Sequence, residues 1–403
     1  MRISTLQIYQ RGVNAIDSQQ SALSRTQQQI ALGKRIGTPS DDPIGAAQSL
    51  TLEQAKARIA QYGSNIDAAK DALAQDDSVL GQVTDLLQSV RTLALNGGNS
   101  GLNDKDRASL ATEASGRLQQ LLGLVNLQDG DGRYLFSGFS ANTQPFVTSP
   151  SGAVTYNGDQ GQRTLDVAPG RSVPIAYNGS AVFEAVRTGN GSFSALAGGT
   201  NAGTGVIGGA TVTNPSLLPG DTYRLQFSVS GGVTTYDVID TTTSTTVSSG
   251  NPFTSGATIT VAGMQVSVTG APAAGDQFTL APSVTQSVFQ TLQNLIATLN
   301  TPATGAAGAT RLQNDLNRSV LDIDQALDHI LSTRADAGST LRELDALSTG
   351  NDDRTLQLDT SLSRINDLDY NKALSDFARQ QLSLDAAQKS FAKVSGLSLF
   401  DYL

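Results

Sequence analysis

Carboxylates are the side chains of this sequence that stand close enough together to suggest acid–base chemistry. Asp76 with Asp77, Asp352 with Asp353, and Asp367 with Asp369 are neighbours or nearly so, and two carboxyls at one site can divide the work of general acid and general base. His329, beside Asp328 and downstream of Asp322 and Asp324, is the single imidazole. The absence of cysteine excludes thiol chemistry and disulfides, and one histidine excludes a multi-histidine metal site. Each acidic pair also has a structural reading. Asp352 and Asp353 suit an acidic helix start, Asp76 and Asp77 read as solvated mid-helix positions, and His329 reads as helix surface.

Two glycine- or aspartate-rich stretches invite ligand readings and do not sustain them. The run from Gly203 to Gly208 has dinucleotide-fingerprint spacing, but no strand pattern precedes it and no helix pattern opens after it. Asp129 and Asp131 begin like a calcium loop whose later ligands and terminal Glu are missing, which leaves a helix-stopping turn. The expectation is a protein with no catalytic, cofactor-binding or metal-binding residues, needing no cofactor, and not an enzyme. Its stability should be indifferent to chelators.

The elements that would position any function lie at the chain ends. From Asp353 to Leu403 the sequence reads as one long helix in which Tyr370, Leu374, Phe377, Gln381, Leu384, Gln388 and Phe391 recur at alternating steps of four and three. At the other end Leu6, Tyr9, Val13, Ile16, Gln20, Leu23, Gln27 and Ile30 keep the same steps. So narrow an apolar stripe needs a partner helix, so these fifteen residues are the expected assembly seam. Pairing positions that sum to 404 sets Ile16 against Gln388, Gln20 against Leu384, Leu23 against Gln381, and Gln27 against Phe377. Each glutamine would then face an apolar residue, and order in the ends would depend on assembly.

Between the ends, a first helix should stop near Gly37 and a second should run from Ile44 to about Leu95. A third should span about Asp104 to Leu127, closing an antiparallel hairpin. Alternating runs at 153–156 and 163–167 around Asn157-Gly158 read as a β-hairpin. Residues 188–220 and 241–275 carry no charged residue and read as exposed β structure and loops. Strands are expected at 223–229, 234–239, 257–261 and 265–268. Helix returns over 283–299 and again from 309 to 347, ending before Gly350. The fold class is mainly α with a β insert: an elongated antiparallel helical or coiled-coil stem formed by both chain ends, with a β-rich domain in the middle.

The 403 residues carry a net charge of −9, which disfavours phosphate-backbone contacts, so nucleic acid is not an expected partner. No run is long enough to insert into a membrane, and the basic start continues the heptad stripe without the apolar core of a cleavable signal peptide.

Several motifs together resemble the flagellin superfamily. They are Met1-Arg2-Ile3-Ser4-Thr5, Leu32-Gly33-Lys34-Arg35 leading to Pro39-Ser40-Asp41-Asp42-Pro43, and Arg133-Tyr134-Leu135-Phe136-Ser137-Gly138. Arg364-Ile365-Asn366-Asp367-Leu368-Asp369-Tyr370 and Ala386-Ala387-Gln388-Lys389-Ser390-Phe391, with the ending Leu397 to Leu403, agree and point to its hook–filament junction members. The resemblance covers about residues 1–140 and 284–403. It implies a bacterial flagellar protein outside the cell, secreted unfolded through the flagellar type III apparatus. Such a subunit forms a self-assembled adaptor ring between hook-associated protein 1 and flagellin, and an export chaperone guards its C-terminal helix. A flagellin filament subunit is the alternative, and a secreted glycan-binding protein or carboxylate hydrolase a more distant one. The expected domains are 1–36 with 366–403 as terminal coiled coil, 37–133 with 284–365 as helical stem, and 134–283 as an outward-facing β-rich part, divisible into 134–187 and 188–283.

Overall fold

The computed structural model describes residues 5–218 and 220–395. The opening residues 1–4 and the ending 396–403, which carry part of the motif resemblance, lie outside the described residues. In chain order the elements are α1 (Thr5–Leu32), α2 (Pro43–Gly97), α3 (Asp104–Val125), β1 (Phe146–Thr148), β2 (Val154–Tyr156), β3 (Thr164–Ala168), β4 (Arg171–Pro174), α4 (Gly179–Phe183), β5 (Val186–Arg187), β6 (Phe193–Ala197) and β7 (Val206–Val212). There follow β8 (Tyr223–Ser230), β9 (Val233–Asp240), β10 (Thr245–Pro252), β11 (Thr258–Val261), β12 (Met264–Thr269), β13 (Gln277–Pro282), β14 (Thr285–Gln286), α5 (Val288–Asn300), α6 (Gly305–Asn366) and α7 (Tyr370–Ser395). The chain divides into two compact units, Met1–Asn65 with Ala346–Leu403, and Ile66–Asp345.

In the first unit α1 and α7 run antiparallel, joined to the ends of α2 and α6. The expected single helix from Asp353 to Leu403 is instead two, broken at 367–369. The break has a local cause. Gly33 turns the chain after α1 with φ +66°, so its carbonyl accepts the Leu368 N–H (3.2 Å) while the Arg35 N–H donates to Asn366 O (2.7 Å). Asp369 then caps α7 by accepting the Lys372 N–H (3.1 Å). Gly350 does not end a helix, because α6 passes through it, and Asp352 and Asp353 are therefore interior residues and not a helix start.

The second unit holds two cores. Leu80, Val83, Leu87 and Val90 of α2, Leu121 of α3, Leu292 and Leu295 of α5, and Ile323 and Ile330 of α6 are buried in the first. Phe136, Phe146, Phe183 and Phe289 seal one end of it through ring contacts between 4.9 and 6.4 Å. The other core lies between a five-stranded antiparallel sheet, order β10-β9-β8-β13-β6, and a three-stranded sheet, order β11-β12-β7. Phe193, Leu225, Phe227, Val266, Phe278 and Leu280 fill it.

The strands expected over 223–229, 234–239, 257–261 and 265–268 form as β8, β9, β11 and β12. The hairpin across Asn157-Gly158 does not form: β2 pairs with β1, and β3 with β4. Asp159 is the reason, because its carboxylate takes the amides of Phe139 and Gly161 and pulls the segment away from a hairpin turn. The charge-free stretch at 188–220 supplies strands β6 and β7, but it is not all exposed as expected, since Phe193 and Ile207 are buried.

Candidate assembly surface

The α1–α7 contact is built from large residues alternating with mostly small ones, Gln19 and Gln380 being the exceptions. Tyr9, Ile16, Leu23 and Ile30 of α1 alternate with Gly12, Gln19, Thr26 and Gly33, all facing inward. On α7 the inward positions are Phe377, Leu384 and Phe391, alternating with Ala373, Gln380 and Ala387, while Tyr370 leans over Gly33. A Cβ on Gly12 would stand 2.6 Å from the Phe391 ring, which in turn meets Tyr9 edge-on at 5.9 Å. The Thr26 hydroxyl donates to Gln380 Oε1 (2.9 Å), satisfying one amide group inside the contact.

Seven of the fifteen expected seam residues therefore lie inside the pairing of α1 with α7, namely Tyr9, Ile16, Leu23, Ile30, Phe377, Leu384 and Phe391, and an eighth, Tyr370, is 51% exposed and reaches the pair only through its hydroxyl over Gly33. Six do not. Val13 is 44% and Leu374 52% exposed, and Gln20, Gln27, Gln381 and Gln388 are exposed with them. The side chain of Leu6 lies outside the described residues. Hydrophobicity alone favours Val13 over Gly12 and Leu374 over Ala373, but close approach of two helices favours the smaller residue at each step. Small residues stand three positions after Tyr9, Leu23, Ile30, Tyr370 and Leu384, at Gly12, Thr26, Gly33, Ala373 and Ala387, with Gln19 and Gln380 breaking the pattern. The register that sets each glutamine against an apolar residue is corrected accordingly, as these four amides stay at solvent. Helical geometry puts the six displaced residues in two rows along one flank of the pair.

Between α1 and α2 the Pro-Ser-Asp-Asp-Pro turn is fixed by its own acids. Asp41 accepts the N–H groups of Thr38 (2.8 Å) and Gly37 (3.1 Å), and the Thr38 amide chiefly holds its carboxyl below the usual range. Asp42 accepts the Gly45 N–H (2.9 Å) and pairs with Arg35 (3.1 Å), and the Gly45 amide is the main cause of its lowered pKa.

Ion pairs mark the α2–α6 contact, spaced by multiples of seven residues along α2. Lys56 meets Asp359 (2.5 Å) in the first unit, and Lys70 meets Asp345 (2.7 Å), Arg334 meets Asp77 (2.8 Å) and Arg91 meets Asp324 (2.6 Å) in the second. In the second unit α6 also grips the β-rich part. Asn314 accepts the Ile207 N–H (2.9 Å) and donates to Gly205 O (3.0 Å), while buried Asp322 accepts the Gly189 N–H (2.8 Å).

The residues considered for chemistry are dispersed into structural roles. Asp76 is not solvated as expected; it is 1% exposed, and burial pushes its pKa up to about 8 against the Tyr177 amide and the Arg163 charge. Neighbouring Asp77 points to Arg334 instead, because adjacent helix positions face different sides. Asp367 accepts the Ser363 hydroxyl (2.5 Å). His329 Nε2 lies 2.8 Å from Ala181 O. Asp129 and Asp131 both pair with Arg133, and among the described residues no acidic or histidine cluster has metal-site geometry. The Gly203–Gly208 run leads into β7 and not a helix. Among the described residues no helix is long and apolar enough to cross a membrane.

The bacterial flagellin N-terminal helical region matches residues 3–141. Flagellar hook-associated protein 3 of Salmonella typhimurium is 27% identical over 405 residues, covering 99% of each chain. The crystal structure of flagellar hook associated protein-3 from Legionella pneumophila superposes with TM-score 0.74 at 31% identity, over 78% of this chain and 98% of that one. The chain belongs to the flagellar hook-associated protein 3 family. A second family structure, the flagellar junction protein FlgL from Legionella pneumophila, gives TM-score 0.71 at 32% identity over 80% of this chain and all of that one. By contrast, the flagellin of Bacillus subtilis aligns with 31% of the chain. The hook-associated protein 3 relative thus aligns over nearly the whole chain, the flagellin over less than a third of it.

Proposed function

We propose that this protein is a structural subunit of the junction between flagellar hook and filament, outside the cell. It leaves the cytoplasm unfolded through the flagellar type III apparatus, its C-terminal helix guarded until then by an export chaperone. It then polymerises as a ring, with hook-associated protein 1 on one side and flagellin on the other. The observation that carries this reading is the end-to-end match to hook-associated protein 3, over 99% of both chains. The α1–α7 pair is the polymerising part, the helical bundle the stem, and the β-rich segment the outward part. The exposed flank of Val13, Gln20, Gln27, Leu374, Gln381 and Gln388 suits contact with neighbouring subunits, because amides and scattered apolar groups can be satisfied by equivalent rows on another copy. No step of this role needs catalysis or a cofactor. Deleting the gene tests it: the expected phenotype is completed hooks without filaments and flagellin shed into the medium. Filaments of normal length on the deletion strain would contradict it.

A further inference from the structure

Gly63 of α2 and Gly350 of α6 are helix-interior glycines of the first unit. Two contacts of that unit set the register around them. Asn366 Nδ2 donates to Ser49 Oγ (2.6 Å), and seven residues further along each helix Lys56 meets Asp359 (2.5 Å). The next equal step brings Gly63 opposite Asp352, at the level of Gly350 and Asn351. A Cβ on either glycine would meet no atom within 4 Å, whereas one on Gly12 would stand 2.6 Å from the Phe391 ring. Close approach therefore accounts for Gly12 and not for Gly63 or Gly350. A mid-helix glycine where alanine fits leaves the backbone with more freedom than a stable helix wants.

Both helices are at their weakest at this one level. Gly63-Ser64-Asn65 lies within α2, and Ser348-Thr349-Gly350-Asn351-Asp352-Asp353 lies within α6. Every one of these residues favours a helical backbone less than the straight-chain residues do, because short polar side chains compete for backbone hydrogen bonds and glycine adds freedom. Asn351 adds a defect in packing. It is 7% exposed and its Nδ2 has no hydrogen-bond partner, and a buried donor left unpaired destabilises the contact around it. Local rules broken in both partners at the same level, with no packing reason, mark a place where flexibility is used.

We propose that the α2–α6 pair is built to bend at the level of Gly63 and Gly350. The turns from Pro43 to Tyr62 and from Arg354 to Asn366 then swing as one arm that carries the α1–α7 pair. At 1.5 Å per residue the arm is about 30 Å long, so a bend of about 10° moves its end by about 5 Å, roughly one helical turn. The use of this joint rests on the reading above that the chain polymerises, since an arm that swings lets the α1–α7 pair follow the spacing of its neighbours.

Gly63→Ala combined with Gly350→Ala stiffens the joint without a clash. Gly338→Ala, also clear of any atom within 4 Å and elsewhere on α6, controls for plain helix stabilisation. Hydrogen exchange of the purified full chain reads the joint itself. Amides over 62–65 and 349–353 should exchange about tenfold faster than those one heptad nearer to α1 and α7, the double variant should remove that difference, and Gly338→Ala should leave it. In cells the double variant should be exported at the normal level yet shed filaments several-fold more often in viscous medium, with Gly338→Ala matching the natural chain. Equal exchange at the two levels in the natural chain overturns the joint. A double variant that loses the exchange difference and keeps its filaments overturns its use. Absence of the protein from flagella in every strain removes the junction reading, and the exchange pattern alone then decides whether the pair bends.

Discussion

Arg334 on α6 holds Asp77 on α2, Nε to Oδ1 2.8 Å apart, with the charges reversed relative to Lys70–Asp345 and Arg91–Asp324 in the same helix contact. The reversal marks one register, because sliding α6 takes Asp77 away from its guanidinium while leaving lysine and arginine among acids. Asp77→Arg should cost about 1 kcal/mol by setting two cations together, and Asp77→Arg with Arg334→Asp should recover most of it. Urea unfolding of the four members of this cycle measures the coupling. Simple additivity would show that the pair does not set the register.

Gly12 is where the end helices have no slack. Gly12→Val forces the Phe391 ring aside and should weaken the α1–α7 pairing by about 1 to 3 kcal/mol. Phe391→Ala in the Gly12→Val background should restore part of the loss. Motility in soft agar with both variants exported at normal levels is the readout, and full motility of Gly12→Val alone would show that this contact is dispensable.

Asp76 makes the second unit sensitive to pH. Its carboxyl, buried and pushed up to about 8, is protonated more readily in the folded chain than in the unfolded one. The stability it contributes is complete below the ordinary carboxylate pKa and is lost as pH rises toward 8. Asp76→Asn, neutral and of the same shape, should flatten this slope and raise stability at pH 8 by on the order of 1 to 3 kcal/mol. Melting curves of both proteins between pH 4 and 8 decide the point, and parallel pH profiles would contradict the assignment.

The β-rich segment should be separable from the helices. The Thr188 N–H donates to Val284 O (3.0 Å), so the two chain ends of that segment already stand together. Removing residues 189–283 and closing the gap with a short glycine–serine linker should leave export and filament attachment largely intact, despite loss of the partners of Asn314 and Asp322. Exported but non-motile truncated protein would show that the segment is part of the joint.

The sequence made the helices and their antiparallel return readable because heptad steps and Gly/Pro stops act locally. It also made β8, β9, β11 and β12 readable through alternation. What it hid was tertiary. Gly12, Thr26, Gly33 and Ala373 carry no hydrophobic signal, and only the partner helix explains such positions: the Phe391 ring stands over Gly12, the Tyr370 hydroxyl over Gly33, and Gln380 takes the Thr26 hydroxyl. Asp76 gives no sign of burial in a helix pattern, since Arg163 and Tyr177 reach it from a distant segment. The break at 367–369 needs Gly33 and Arg35 from the other end of the chain, and Asp159 overrides a turn signal that Asn157-Gly158 states clearly.

Electron microscopy of isolated hook–filament structures labelled with antibody to this protein tests the junction reading most directly. A single narrow band where hook meets filament is predicted, and it should vanish from the deletion strain. Label spread along the filament would make the chain a filament subunit, and label absent from the flagellum would contradict the account altogether.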